Sequence, residues 1–191
     1  TNYNVLVLDQ ALKNNSFISF INTNVSRKNY GYDANVAAML FKFANKANRY
    51  AVEGSADVSQ LYNVVTPDVG HRYYLSLAKI SGAYTAFLRT RSISDHFNPN
   101  DLGYLDRNNI TSYIFEQYYN IYHPIGFLNN AYNHVGINYF RVFNPDVFQK
   151  FNVYGSHNTT FRNFLTTGFY WEAYPVKSND YYEPRTFGRF Y

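Results

Sequence analysis

Alternation with period two, held over long runs, limits this chain to extended structure. In YAVEGSADVS (50–59), Tyr50, Val52, Gly54, Ala56 and Val58 fall on one side, and Ala51, Glu53, Ser55, Asp57 and Ser59 on the other. Successive strand side chains point to opposite faces, so this segment has one apolar face and one of carboxylates and hydroxyls. Tyr73, Leu75 and Leu77 alternate in the same way with Arg72, Tyr74 and Ser76, and Tyr84, Ala86 and Leu88 with Thr85, Phe87, Arg89 and Arg91. Val135, Ile137 and Tyr139 alternate with His134, Gly136 and Asn138, and Phe169, Trp171 and Ala173 with Gly168, Tyr170 and Glu172. Over 30–40, Tyr30, Tyr32, Ala34, Val36, Ala38 and Leu40 are assigned to the apolar face, with Gly31, Asp33, Asn35 and Ala37 opposite.

The pattern predicts about ten strands, near 3–12, 15–25, 30–42, 49–59, 71–80, 83–91, 110–120, 128–143, 147–155 and 161–174. Short connections (13–14, 43–48, 81–82, 121–127, 156–160) alternate with a second set (26–29, 60–70, 92–109, 144–146, 175–191) that includes the three longest. Short turns on one rim and long loops on the other are the habit of outer-membrane barrels. The predicted class is therefore all-β: an antiparallel up-and-down transmembrane β-barrel. Residues 1–191 are expected to be a single segment of it, an incomplete fragment of a larger barrel. Thr1 follows no visible signal peptide, so a targeting signal and further strands are expected outside this sequence.

A water-soluble sheet turns its apolar face to a core, whereas a membrane barrel turns it to lipid. Three features favour lipid. Most strands reach the ~9–11 residues that a tilted bilayer crossing needs. Aromatic residues crowd the strand ends, as at Tyr30, Tyr50, Tyr73, Tyr74, Tyr118, Tyr119 and Trp171, where amphipathic rings suit the headgroup level. The apolar face is rich in Ala, Gly, Tyr and Val, where a buried core would hold more Leu and Ile. Lys79 and Arg141 fall in phase with the apolar face and are tolerable only near an interface. Asp33, Glu53, Asp57, Arg72, Arg89, Arg91, Glu116 and Glu172 are predicted to face the lumen as cross-strand charge ladders.

Composition removes several function classes. The chain has no cysteine, which excludes disulfides, thiolate metal sites and a cysteine nucleophile. Its net charge is +4 with no cation run longer than Arg27-Lys28, so a nucleic-acid partner is not expected. The five histidines show no metal-ligand spacing, and there is no phosphate-binding glycine loop or nucleophile elbow. No metal, cofactor or catalytic residue is predicted.

Two loops could carry function. Phe97, Asn98, Asn100, Asp101 and Tyr104 lie in the longest internal connection, whose Asn-Pro and Asp-Leu-Gly chemistry builds turns. Its oxygen-bearing side chains do not match the EF-hand calcium pattern. Tyr182, Glu183 and Arg185 lie in the last segment, with tyrosine rings suited to stacking on a sugar.

The strings FNPNDLGYLDRNN (97–109), DYYEPRTFGRF (180–190) and NYGYDANVAAML (29–40) resemble the domain of unknown function 5916 family. The resemblance runs through most of the chain in order. It implies a large outer-membrane protein of Gram-negative bacteria, with a family-9 carbohydrate-binding-like domain upstream and more barrel beyond Tyr191. It brings no reaction and no catalytic residues. The expected function is an outer-membrane barrel that binds or passes a glycan-type ligand, with membrane lipid and a glycan as partners. The alternatives are a hydrolase at the barrel mouth acting on carbohydrate, and a soluble β-sheet binding protein.

Overall fold

The computed structural model of this chain describes residues 1–28, 31–63 and 65–179. Ten strands form one antiparallel sheet: β1 (Asn2–Leu12), β2 (Ser16–Ser26), β3 (Asp33–Ala44), β4 (Tyr50–Tyr62), β5 (Asp68–Lys79), β6 (Tyr84–Ile93), β7 (Ile110–Ile121), β8 (Leu128–Val142), β9 (Val147–Phe161) and β10 (Thr166–Ala173). Each strand pairs with its neighbours in sequence order. Within the described residues β1 and β10 do not meet, so the sheet is open rather than closed into a barrel. Tight connections on one rim use left-handed residues, among them Asn14, Asn15, Asn48, Gly82 and Gly126. Asparagine tolerates that conformation better than other side chains.

Paired residues share a face, so the register fixes two surfaces. One row runs Asp9, Ser19, Leu40, Ser55, Tyr74, Arg91, Ser112, Phe140 and Lys150. This polar face is the sheltered one. Asp57 is 1% exposed, and Ser59, Ser76, Ser112 and Asn152 are equally hidden. A row on the other face runs Phe43, Val52, Leu77, Leu88, Phe115, Ile137, Val153 and Ala173, apolar without interruption. Phe43, Val52, Leu77, Leu88 and Ile137 of that row are exposed. The sheet is therefore inside out by the standard of a water-soluble fold, where the charged face would meet water.

Two expectations change. Residues 156–160, expected as a short connection, are the end of β9. Their backbone pairs with β8 on one side and β10 on the other, and the turn lies at 162–165. The faces of β3 are also exchanged. Ala38 pairs with Asp57 and Leu40 with Ser55, so Ala34, Val36, Ala38 and Leu40 lie on the sheltered face. Asp33 falls in the row of Asn35 and Gln60, away from Glu53 and Asp57. The middle of β3 is apolar on both sides and fixes no phase. Phe41-Lys42-Phe43 fixes it, with Lys42 opposite Glu53 and the two rings stacked at 5.4 Å on the open face.

The register is open to a direct check, since the chain has no cysteine of its own. The pair Met39→Cys with Ala56→Cys, directly opposed, is expected to form a disulfide under mild oxidation. Met39→Cys with Ser55→Cys, on opposite faces, is expected to remain reduced, as seen by non-reducing electrophoresis.

Candidate functional site

The long connection 94–109 returns onto the sheltered face instead of projecting from the rim. Its base is fixed where Ser94 exchanges bonds with the His71 backbone, N–H to carbonyl at 2.9 Å and Oγ accepting at 2.9 Å. Asn109 brackets the Asn144 backbone, accepting its N–H at 2.8 Å and donating to its carbonyl at 2.9 Å. Between these anchors Phe97, 1% exposed, packs in the cluster of Ile93, Ile110, Leu105 and Phe140. The Arg72 guanidinium sits 5.3 Å from its ring centre. The next backbone N–H, of Asn98, donates to Ser59 Oγ at 2.9 Å.

Gly70 permits this approach. It pairs with Ser59 on the sheltered face, and a Cβ there would overlap the backbone of His96 and Phe97. Farther along, Asp101 forms an ion pair with Arg27, from the β2–β3 connection, and accepts the Tyr32 hydroxyl at 3.3 Å. Arg27 also donates to the Tyr32 carbonyl at 2.8 Å and lies 4.6 Å from its ring centre. The hydrogen bond and the charge of Asp101 raise the Arg27 pKa above its usual value. The loop thus ties the β6–β7 connection to the β2–β3 connection over β4 and β5.

The predicted loop residues therefore divide by task. Phe97 is the apolar anchor and Asp101 the latch. Asn98 Oδ1 accepts the Asn100 N–H at 3.2 Å, and Asn100 Oδ1 accepts the Leu105 N–H at 2.7 Å, so both amides shape the loop itself. Tyr104 is 88% exposed and is available to a ligand. Tyr182, Glu183 and Arg185 lie outside the described residues. Sequence reasoning missed Arg27, Gly70 and Asn108, whose side chain donates to the Asp95 and Phe97 carbonyls at 2.6 and 3.2 Å. Gly70 gave no such signal, because 60–70 is expected as a connection, whereas the structure places this glycine inside β5, where a close backbone approach is needed.

Below the loop, Glu53, Asp57, Arg72, Arg89, Arg91, Glu116 and Glu172 share the sheltered face. Arg72 pairs with Asp57, and Arg89 Nη1 with Glu116 at 2.6 Å. Glu116 also accepts the hydroxyls of Tyr118 at 3.3 Å and Tyr154 at 3.1 Å. His134 stacks on Tyr118 at 4.3 Å, with Nε2 3.3 Å from Glu116 but misaligned for a hydrogen bond. Tyr154 lies over Gly136, where a Cβ would strike its ring. Glu172 accepts from Asn152 and Tyr174 at 2.7 Å each. Among the described residues no group of three His, Asp or Glu converges as a metal site. The arrangement is a tyrosine-rich, charge-balanced surface beneath a latched loop.

Replacing Gly70 by Ala is expected to push the loop off the sheet, at about 1–3 kcal/mol for an overpacked contact. Limited trypsin digestion of the folded protein should then cut after Arg107 faster than in the parent. Equal rates would show that the loop does not depend on this glycine.

One family model, Domain of unknown function (DUF5916), matches residues 1–191, the whole chain. No curated protein and no solved structure matches it.

Proposed function

We propose that the chain, which belongs to the domain of unknown function 5916 family, is a ten-stranded segment of an outer-membrane β-barrel that binds or passes a glycan-type ligand. The observation that carries this is the inverted sheet. Its charged residues line the sheltered face, while a continuous apolar row is left open. In water the open row would forfeit about 25 cal/mol per Å² of apolar area, and in lipid it does not. Among the described strand residues, the charges off the sheltered face are Asp33, Lys79 and Arg141, each at or next to a strand end. Arg141 meets Asp146 and the Tyr139 hydroxyl there.

Aromatic tiers support the same placement. Tyr50, Tyr84 and Tyr119 stand on the open face at the short-turn rim, and Tyr73, Tyr113 and Tyr139 nearer the other rim. Tyr113 and Tyr119 lie six residues apart on β7, about 20 Å along the strand. That is close to the ~25 Å height of a barrel's apolar band between its girdles. Tyr74 and Tyr118, by contrast, point to the sheltered face. Toward the long-loop rim the open face turns polar, with Asn22 donating to Asn35 at 3.0 Å and Asn24 to Tyr62 at 2.6 Å. Strands that continue past the bilayer would do this. The exposed edge strand β1, with Val5, Leu6, Val7 and Leu8 uncovered, suits pairing with further strands. The glycan part draws on the tyrosine-rich sheltered face and on the upstream carbohydrate-binding-like domain that the family resemblance implies.

Leu77→Arg, in the middle of the open row, is expected to cost about 2–4 kcal/mol when the protein is folded into liposomes and titrated with urea. A water-facing position would change by less than ~0.5 kcal/mol, and that result would overturn the membrane placement. Liposomes carrying the protein should swell faster in oligosaccharide than in a size-matched polyol. Equal swelling would remove the glycan part.

A further inference from the structure

We propose that the connection 94–109 is a gating strap across the sheltered face, held shut by the Arg27–Asp101 ion pair. The inference rests on the reading of that face as a passage and adds how the passage is regulated. The connection is built in two parts. Its base is tied together. Ser94 fixes it to β5 and Asn109 to the β8–β9 connection. The Asn109 N–H donates to the Ser94 carbonyl at 3.3 Å, and the Asn108 amide joins the two legs through the Asp95 and Phe97 carbonyls. Its tip closes on itself. Asn98 Oδ1 accepts the Asn100 N–H, and the Asn100 side chain meets the Leu105 N–H at 2.7 Å and carbonyl at 3.2 Å. A tip bonded internally can move as one body about Phe97 and Leu105, which pack with Ile93, Ile110 and Phe140.

The tip is held across the sheet by residues distant in sequence. The Asp101 carboxylate pairs with Arg27 and accepts the Tyr32 hydroxyl, and the Asn98 N–H meets Ser59 Oγ. The ion pair is partly open to solvent, with 24% of the Arg27 side chain exposed, so ions and ligands can reach it. Beneath the strap, Asp57 and Ser59 are almost wholly hidden, although they belong to the charged face. Arg72 and Ser55 both bond Asp57 Oδ2, whereas the buried Oδ1 has no hydrogen-bond partner among the described residues. A buried carboxylate oxygen without a donor disfavours the shut arrangement. The latch and the packing of Phe97 favour it. With effects opposed in this way, one ion pair can decide between the two arrangements.

The test uses the full-length protein carrying Ser59→Cys, in a background without other cysteines, and a water-soluble methanethiosulfonate. The shut strap should protect the thiol. Asp101→Asn should speed its modification about tenfold or more, in keeping with loss of a charged hydrogen bond. Arg27→Gln should do the same, and the two together no more than either alone. Asp101→Glu should keep most of the protection, with unchanged circular dichroism for every variant. In planar bilayers Asp101→Asn, made on the parent sequence, should raise the single-channel conductance. Equal modification with and without Asp101→Asn, or additive effects of the two latch variants, would overturn the latch and leave the barrel and glycan readings standing. Faster modification with unchanged conductance would show a strap that gates nothing and overturn the inference. No current through either protein would overturn the gate together with the passage reading, and the membrane placement would then stand or fall on Leu77→Arg.

Discussion

A β-strand residue has two faces to choose from, and the charged residues within these strands have nearly all taken the same one. Glu53, Asp57, Arg72, Arg89, Arg91, Glu116 and Glu172 arise on five different strands, and the register brings them to one surface. That segregation fixes much of the rest. Charges confined to one side must satisfy one another there, which they do through Arg72–Asp57 and through the Arg89–Glu116–Tyr154 cluster. The other side is left with side chains that gain nothing from water. Burial of a lone charge would be prohibitive, whereas paired and hydrogen-bonded charges lining a wet interior are ordinary.

The sheltered face also receives the only buried apolar cluster among the described residues, and a loop brings it there. Phe97 enters because Gly70 leaves room for its backbone, and Asp101 reaches Arg27 because the loop then crosses β4 and β5. The loop consequently narrows the space above the charge ladder. Tyr104, on its outer surface, is the residue of this loop best placed to meet something arriving from solution.

The strands and their order were legible in the sequence, because period-two alternation over ten or more residues has no helical counterpart. The polar faces of β4 to β6 were also legible, since Glu53 and Asp57, Arg72, and Arg89 fall one step away from Val52, Ala56 and Val58, Tyr73, and Leu88. Legibility failed where polarity was even. NVAAML carries apolar side chains on both faces of β3, so its phase had to come from Lys42, one step beyond the clean pattern. SHNTT carries polar ones on both faces of β9 and resembled a turn. The loop's return could not be read at all, since Asp101 finds Arg27 at a separation of 74 residues.

The most direct measurement is the accessibility of nitroxides attached to single cysteines at successive positions of β4, from Val52 to Val58, with the protein in liposomes. Oxygen collisions should peak at Val52, Ala56 and Val58, and collisions with a water-soluble nickel chelate at Glu53 and Ser55. That alternation would place the open face in lipid and the charged face in an aqueous interior. Nickel access that is equally high at Val52, Ala56 and Val58 would contradict it.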